Sequence, residues 1–161
     1  MTIKVGDKLP DATFKVMKDG KPADLTVSDL TAGKKVALFA VPGAFTPTCS
    51  ARHLPGYKEK AAEFRGKGVD TIACVSVNDV FVMGAWGKDQ RVGEDVVMLA
   101  DGNGDFAKAV GLEMDGKGFG MGGRSQRYSM LVDNGIVSQL NIEAPGKFEA
   151  STAEAMLAQL A

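Results

Sequence analysis

Cysteine and histidine are scarce in this chain: 161 residues hold two cysteines and one histidine. Two cysteines without paired spacing make neither a disulfide scaffold nor a zinc site. The lone His53 excludes a histidine-rich centre, so no metal and no cofactor is expected. No apolar run approaches the ~18 residues of a membrane span. The opening stretch MTIKVGDKLPDATFKV has no apolar core segment, so no secretory signal is expected. An excess of charge of one sign is also missing. A net charge of −1 offers nucleic acid or an anionic membrane no broad attraction. Few thiols and no signal point to a reducing compartment, and the cytoplasm is the expected location.

What is present is an ordinary globular composition, 45% apolar and 24% charged, long enough for one domain over 1–161 with a real core. ATFKVMKDGKPADLTV reads as two strands around an Asp19-Gly20 turn. KKVALFAVPG and GVDTIACVSVN read as strands buried on both faces. Residues 47–66 read as one helix kinked at Pro55. A short helix follows, with Asn78 or Asp79 as its cap. VVMLAD is a third strand, DFAKAVGL a short helix, and EMDGKGFGMGGRS a flexible glycine-rich loop. QRYSMLVDNGIVSQLNIE is a hairpin around Asn134-Gly135. Ser151 and Glu154 form a capping box for a final helix. The order implies an α/β fold, a central mixed β-sheet flanked by helices with an N-terminal β-hairpin extension. GFGMGG satisfies G-x-G-x-x-G at Gly118, Gly120 and Gly123. It lies between a loop and a strand, the wrong context for a dinucleotide site.

The position of Cys49 is unusual. In VPGAFTPTCS an apolar strand stops at Pro42-Gly43 and a helix begins. Thr46 reads as its N-cap, bonding the first-turn amides, with Pro47 at the first helical position. Cys49 then lies among unpaired amides at the positive end of the helix dipole, where a thiolate is favoured. The strand-to-helix turn also puts it at the edge where open α/β folds place their sites. A buried structural thiol is the alternative.

PGAFTPTCS resembles the peroxiredoxin signature P-x-x-x-T-x-x-C, filled by Pro42, Thr46 and Cys49. FTPTCSARHLPGY, VSVNDVFVMGAWGKD and RYSMLVDNGIV resemble the type II group over nearly the whole chain. The resemblance implies a thioredoxin-like fold and a thiol peroxidase that reduces hydrogen peroxide and organic hydroperoxides. It implies that the Cys49 thiolate attacks the peroxide and becomes a sulfenic acid. It implies that the Thr46 hydroxyl binds the peroxide and that Pro42 shields the sulfur. Of Arg52, Arg65, Arg91, Arg124 and Arg127, the R-Y-S-M motif selects Arg127 as the cation beside the sulfur. Backbone amides around Ala44, Phe45 and Cys49 complete the pocket, and Arg52 is a secondary electrostatic candidate.

His53, one helical turn after Cys49, is not expected to act as a base. Atypical two-cysteine members carry a resolving cysteine near the C-terminus, but the matching region, APGKFEASTAEAM, has none. Cys74, in a buried strand, is the only other thiol. The expected reductant is therefore external, glutathione with glutaredoxin, or thioredoxin. A homodimer through the loops around Phe45, Phe81, Met83, Trp86, Phe119 and Met121 is implied as well. A peroxide sensor without efficient turnover remains an alternative. The absence of C-x-x-C argues against a disulfide reductase.

Overall fold

The computed structural model describes residues 1–160. Strands β1 (Thr13–Lys18) and β2 (Lys21–Thr26) form the N-terminal hairpin. Its turn places Asp19 and Gly20 at φ 53° and 78°, the left-handed pair that a two-residue hairpin requires. Thr26 caps α1 (Val27–Thr31) by accepting the Asp29 amide. Next come β3 (Lys35–Ala40), a π-helical turn (Cys49–His53), α2 (Leu54–Glu59), α3 (Ala61–Gly66), β4 (Thr71–Ser76) and α4 (Val80–Asp89). After them lie β5 (Val97–Ala100), α5 (Asp105–Ala109), β6 (Glu113–Asp115), β7 (Gly123–Ser125), β8 (Tyr128–Asp133), β9 (Ile136–Ile142) and α6 (Ala153–Gln159).

Seven strands make one mixed sheet in the order β2-β1-β5-β4-β3-β8-β9. β3, β4 and β5 are parallel neighbours, and β8 runs antiparallel to β3. Alternation along the central strands feeds two cores. Ala37, Phe39, Ile72 and Cys74 pack with Tyr57, Phe64, Met83, Trp86 and Met156 on one face. Val36, Leu38, Ala73 and Val75 pack with Leu30, Phe106 and Val110 on the other. This is the α/β layout expected from the order of elements.

The topology brings several strand ends to one edge. β3 ends at Ala40, and Tyr128 of β8 is its register partner. The residue before Tyr128, Arg127, therefore arrives where β3 gives way to Pro42 and the Cys49 turn. β4 delivers Asn78 to the same edge, because it runs parallel to β3.

Three sequence expectations need correction. The single helix over 47–66 is three pieces. The Leu54 amide donates to the Cys49 carbonyl, a π-type bond, and the chain breaks again at Lys60. Pro55 has no amide to donate, and its ring would press on the preceding turn of an α-helix. The wider π turn accommodates it without a simple kink. The final helix is capped by Thr152, whose hydroxyl accepts the Ala155 amide, and Ser151 is engaged elsewhere. The glycine-rich loop is an ordered hairpin, with Glu113, Met114 and Asp115 paired to Ser125, Arg124 and Gly123. A short 3₁₀ turn, Lys117–Phe119, lies inside it, and Gly120 and Gly122 take left-handed conformations that close it.

Candidate active site

The loop from β3 into the helix is tightly turned. Phe45 has φ 63°, a left-handed conformation uncommon for a bulky residue. Thr46 stands where a cap was expected, and its carbonyl accepts the Ser50 amide at 2.9 Å. Its hydroxyl does not cap. It donates backward to the Gly43 carbonyl at 2.7 Å, because the Phe45 turn folds Thr46 over Gly43. The loop is also held from β4. The Asn78 Oδ1 accepts the Ala44 amide at 2.9 Å and the Ser76 hydroxyl at 2.6 Å. Asp79, not Asn78, caps α4 by accepting the Val82 amide. Arg124 donates to the Val77 and Met121 carbonyls, tying the β6–β7 hairpin to the same edge.

Cys49 is fully buried, and its sulfur accepts a hydrogen bond from Arg127 Nη2 at 3.1 Å. The other terminal nitrogen of Arg127, Nη1, donates to His53 Nδ1 at 2.8 Å. A guanidinium has only donors, so Nδ1 must accept. The ring proton then sits on Nε2, which donates to the Ser151 carbonyl at 3.0 Å. The Tyr57 hydroxyl donates to the same carbonyl at 2.9 Å. Ser151 in turn donates its amide and its hydroxyl to Glu143 Oε2 at 2.7 and 2.6 Å. One chain of hydrogen bonds thus runs from the Cys49 sulfur to a buried carboxylate.

The electrostatics suit this arrangement. His53 lies between the rings of Phe39 and Phe148 and is fully buried. Burial, and then the Arg127 charge, lower its pKa from 6.5 to about 3, so it is neutral at physiological pH. Burial pushes the Glu143 carboxyl up, but hydrogen bonds from Ser151 and neighbouring amides outweigh it and hold the group below the usual carboxylate range. Cys74 pairs in register with Phe39 and Met98, between two neighbouring strands. Burial, followed by the nearby Cys49, pushes its thiol well up.

Arg127 thus reaches Cys49, Pro42 and Arg127 line one cavity, and Thr46 is folded onto Gly43 in the loop that leads to Cys49. Arg52 stacks on Phe148 with its guanidinium carbon 4.8 Å from the ring centre. Arg65 pairs with Asp95 on the surface. Pro42, Thr48 and Arg127 are among the residues that line a cavity of about 430 Å³. Sequence reading missed Asn78 as a loop clamp, His53 as a support for Arg127, and the Ser151–Glu143 pair. No local signal marks Asn78 or His53, since the partners that matter, Ala44 and Arg127, are distant in sequence.

The redoxin family model matches residues 4–157. The chain is 54% identical to Peroxiredoxin-2E, chloroplastic, of Arabidopsis thaliana, over 99% of this chain and 70% of that protein. It is 46% identical to the hybrid peroxiredoxin hyPrx5 of Haemophilus influenzae, over 100% of this chain and 68% of that protein. The structure of reduced Prx3 in complex with hydrogen peroxide from Vibrio vulnificus is 56% identical and matches with a TM-score of 0.96, covering 99% of this chain and 100% of that one. The chain belongs to the redoxin family and, within it, to the peroxiredoxins of the type II group. It has their thioredoxin-like fold, and its activity class is that of a thiol peroxidase.

Two outcomes follow from the geometry. Between about pH 6.5 and about 3, the unfolded chain binds a proton at His53 that the folded chain refuses. Stability therefore falls as pH drops through that window. At about pH 4.5 the loss approaches ~2 to 3 kcal/mol from this group. Urea unfolding of His53→Gln should show a correspondingly flatter acid limb than the native protein. Asn78→Ala strands the Ala44 amide and the Ser76 hydroxyl. It should cost ~2 kcal/mol in the same measurement and slow the reaction of Cys49 with peroxide by about tenfold through loss of loop positioning.

Proposed function

We propose that Cys49 is the peroxidatic cysteine, with Arg127, Thr46 and Pro42 as its partners, and that glutathione with glutaredoxin regenerates it. The observation that carries this reading is the 3.1 Å bond from the Arg127 guanidinium to a buried sulfur. The thiolate attacks one peroxide oxygen and the O–O bond breaks. Cys49 becomes a sulfenic acid, and the other oxygen takes up the proton released when the thiol ionised and leaves as water or an alcohol. Arg127 stabilises the thiolate and the charge passing to the leaving oxygen. The Thr46 hydroxyl spends its proton on Gly43, so its lone pairs are left to accept from the peroxide O–H. Pro42 lines the cavity beside Arg127, which supports its reading as the residue that shields the sulfur. Hydrogen peroxide and organic hydroperoxides both fit this chemistry.

The external reductant is supported by the placement of Cys74. It is locked between β3 and β5, and reaching Cys49 would require opening both ladders. A homodimer is supported by the exposed aromatics Phe45, Phe81 and Phe119. The two free thiols suit a reducing compartment such as the cytoplasm.

Stopped-flow peroxide consumption tests the assignment: Cys49→Ser should abolish it, and retained native rate would overturn it. Thr46→Val should slow the peroxide step at least ~10-fold, the loss of one transition-state hydrogen bond. Because the lost bond to Gly43 is a single neutral one, stability should drop only ~1 kcal/mol. Cys74→Ser should keep steady-state turnover with glutathione and glutaredoxin. Parallel assays with thioredoxin and with glutathione alone identify the reductant, and a Cys49–Cys74 disulfide with an inactive Cys74→Ser variant would assign resolution to Cys74.

A further inference from the structure

We propose that Phe148 is a positioning residue for the active-site arginine: it closes the bond between Arg127 and His53 off from solvent, so that the guanidinium stays on the Cys49 sulfur. The inference rests on the reading that Arg127 serves a peroxidatic Cys49, and it adds a residue to which that reading gives no part.

Three aromatic rings lie around the imidazole. Phe39 and Tyr57 come from β3 and α2 and are fully buried in the core. Phe148 differs. It comes from the loop after β9, it is only half-buried, and it meets the imidazole edge-on with ring centres 4.9 Å apart. It also lines the cavity of about 430 Å³ to which Arg127 contributes, and neither Phe39 nor Tyr57 does. Phe148 is therefore the wall of this box whose removal opens the imidazole toward the cavity.

The same ring lies against the guanidinium. The Arg127 guanidinium carbon is 5.7 Å from its centre, within the reach of a cation–π contact, and that of Arg52 is 4.8 Å away. Phe148 thus faces both partners of the 2.8 Å bond between Arg127 and His53. Its loop is pinned on either side of it. The Glu149 amide donates to Glu143 Oε2 at 2.9 Å, and the Lys147 amide donates to the Ala144 carbonyl at 2.9 Å.

What this ring protects is an acceptor. His53 Nδ1 can accept from Arg127 only while the imidazole is neutral. Burial is the main reason it stays neutral, with the Arg127 charge second, and Glu143 opposes both. The other polar neighbours are already engaged: the Tyr57 hydroxyl with the Ser151 carbonyl, and Cys49 with Arg127. Admitting water removes the part that burial plays. The imidazole then takes a proton at mildly acid pH, and a protonated Nδ1 repels the guanidinium. Arg127 loses the partner that aims its other nitrogen at the sulfur.

The chain has one histidine, so the imidazole signals of the untagged protein in an NMR pH titration belong to His53. The native ring titrates only near its lowered pKa of about 3. In Phe148→Ala it should titrate at about pH 5.5, still below the ordinary value because the Arg127 charge remains. Such a ring is roughly three-quarters protonated at pH 5. The ratio of the peroxide rate constants at pH 7 and pH 5 should therefore rise roughly fourfold over the native ratio. The rise should vanish when Phe148→Ala is combined with His53→Gln, whose amide oxygen accepts from Arg127 and does not titrate. Phe148→Leu keeps the apolar bulk and should restore both readouts. Phe148→Gln fills the space with a polar chain and replaces Phe148→Ala if that variant fails to fold. An imidazole that stays neutral down to pH 4 in the opened variant overturns the seal. A rate ratio unchanged while the imidazole titrates, or a rise that persists with His53→Gln, overturns the positioning role. The titration is read on the reduced protein without peroxide, so its outcome is separate from that of the peroxidatic reading, which Cys49→Ser tests.

Discussion

The Arg127 guanidinium holds two groups at once, the sulfur of Cys49 and the ring of His53. Most of the architecture around the site serves that bridge. A flexible arginine would lose much of its positioning power, because each hydrogen bond it made would cost side-chain entropy. Here its planar fork is fixed at both terminal nitrogens. The ring that fixes it is fixed by the Ser151 carbonyl, and Ser151 is fixed by Glu143. The Glu143 amide donates to the Arg127 carbonyl, so the support returns to the backbone it started from.

This bridge requires a neutral histidine. A protonated ring would point a proton at a guanidinium, and both charges would be buried together. The aromatic box of Phe39, Tyr57 and Phe148 settles the matter by removing water from around the ring. His53 is therefore a positioning residue that works by accepting a hydrogen bond. That differs from the base role its proximity to Cys49 could suggest. The two thiols have different neighbours. Cys49 has a cation bonded to its sulfur. Cys74, paired on both sides by β3 and β5, keeps its proton because burial raises its pKa.

The turn that carries Cys49 is built from compromises. Pro55 cannot sit comfortably inside an α-helix, and the chain answers with a π turn over Cys49–His53. That turn places the thiol and the histidine on the side facing Arg127. Upstream, Phe45 accepts a left-handed backbone so that Thr46 can fold onto Gly43. The strain is held by Asn78 from the neighbouring strand. The loop is tied to the segment after β4 by the bond from the Ala44 amide to Asn78.

The sequence by itself determined the order of elements, both hairpin turns and the strand-to-helix position of Cys49. Those features depend on local conformational preference: left-handed turn pairs at Asp19-Gly20 and Asn134-Gly135, and alternating burial in the central strands. The R-Y-S-M motif also singled out Arg127, though by resemblance and not by physics. Local rules misplaced what long-range packing controls. Ser151 read as a helix cap, yet Glu143 across the loop claims it and Thr152 caps in its place. Thr46 read as a cap, yet its hydroxyl turns back to Gly43. His53 read as a bystander, because nothing near it in sequence reveals that β8 will set Arg127 against its ring. Only the sheet order decided that meeting: β8 had to lie antiparallel beside β3, with Tyr128 opposite Ala40, before one arginine could reach both the sulfur and the imidazole.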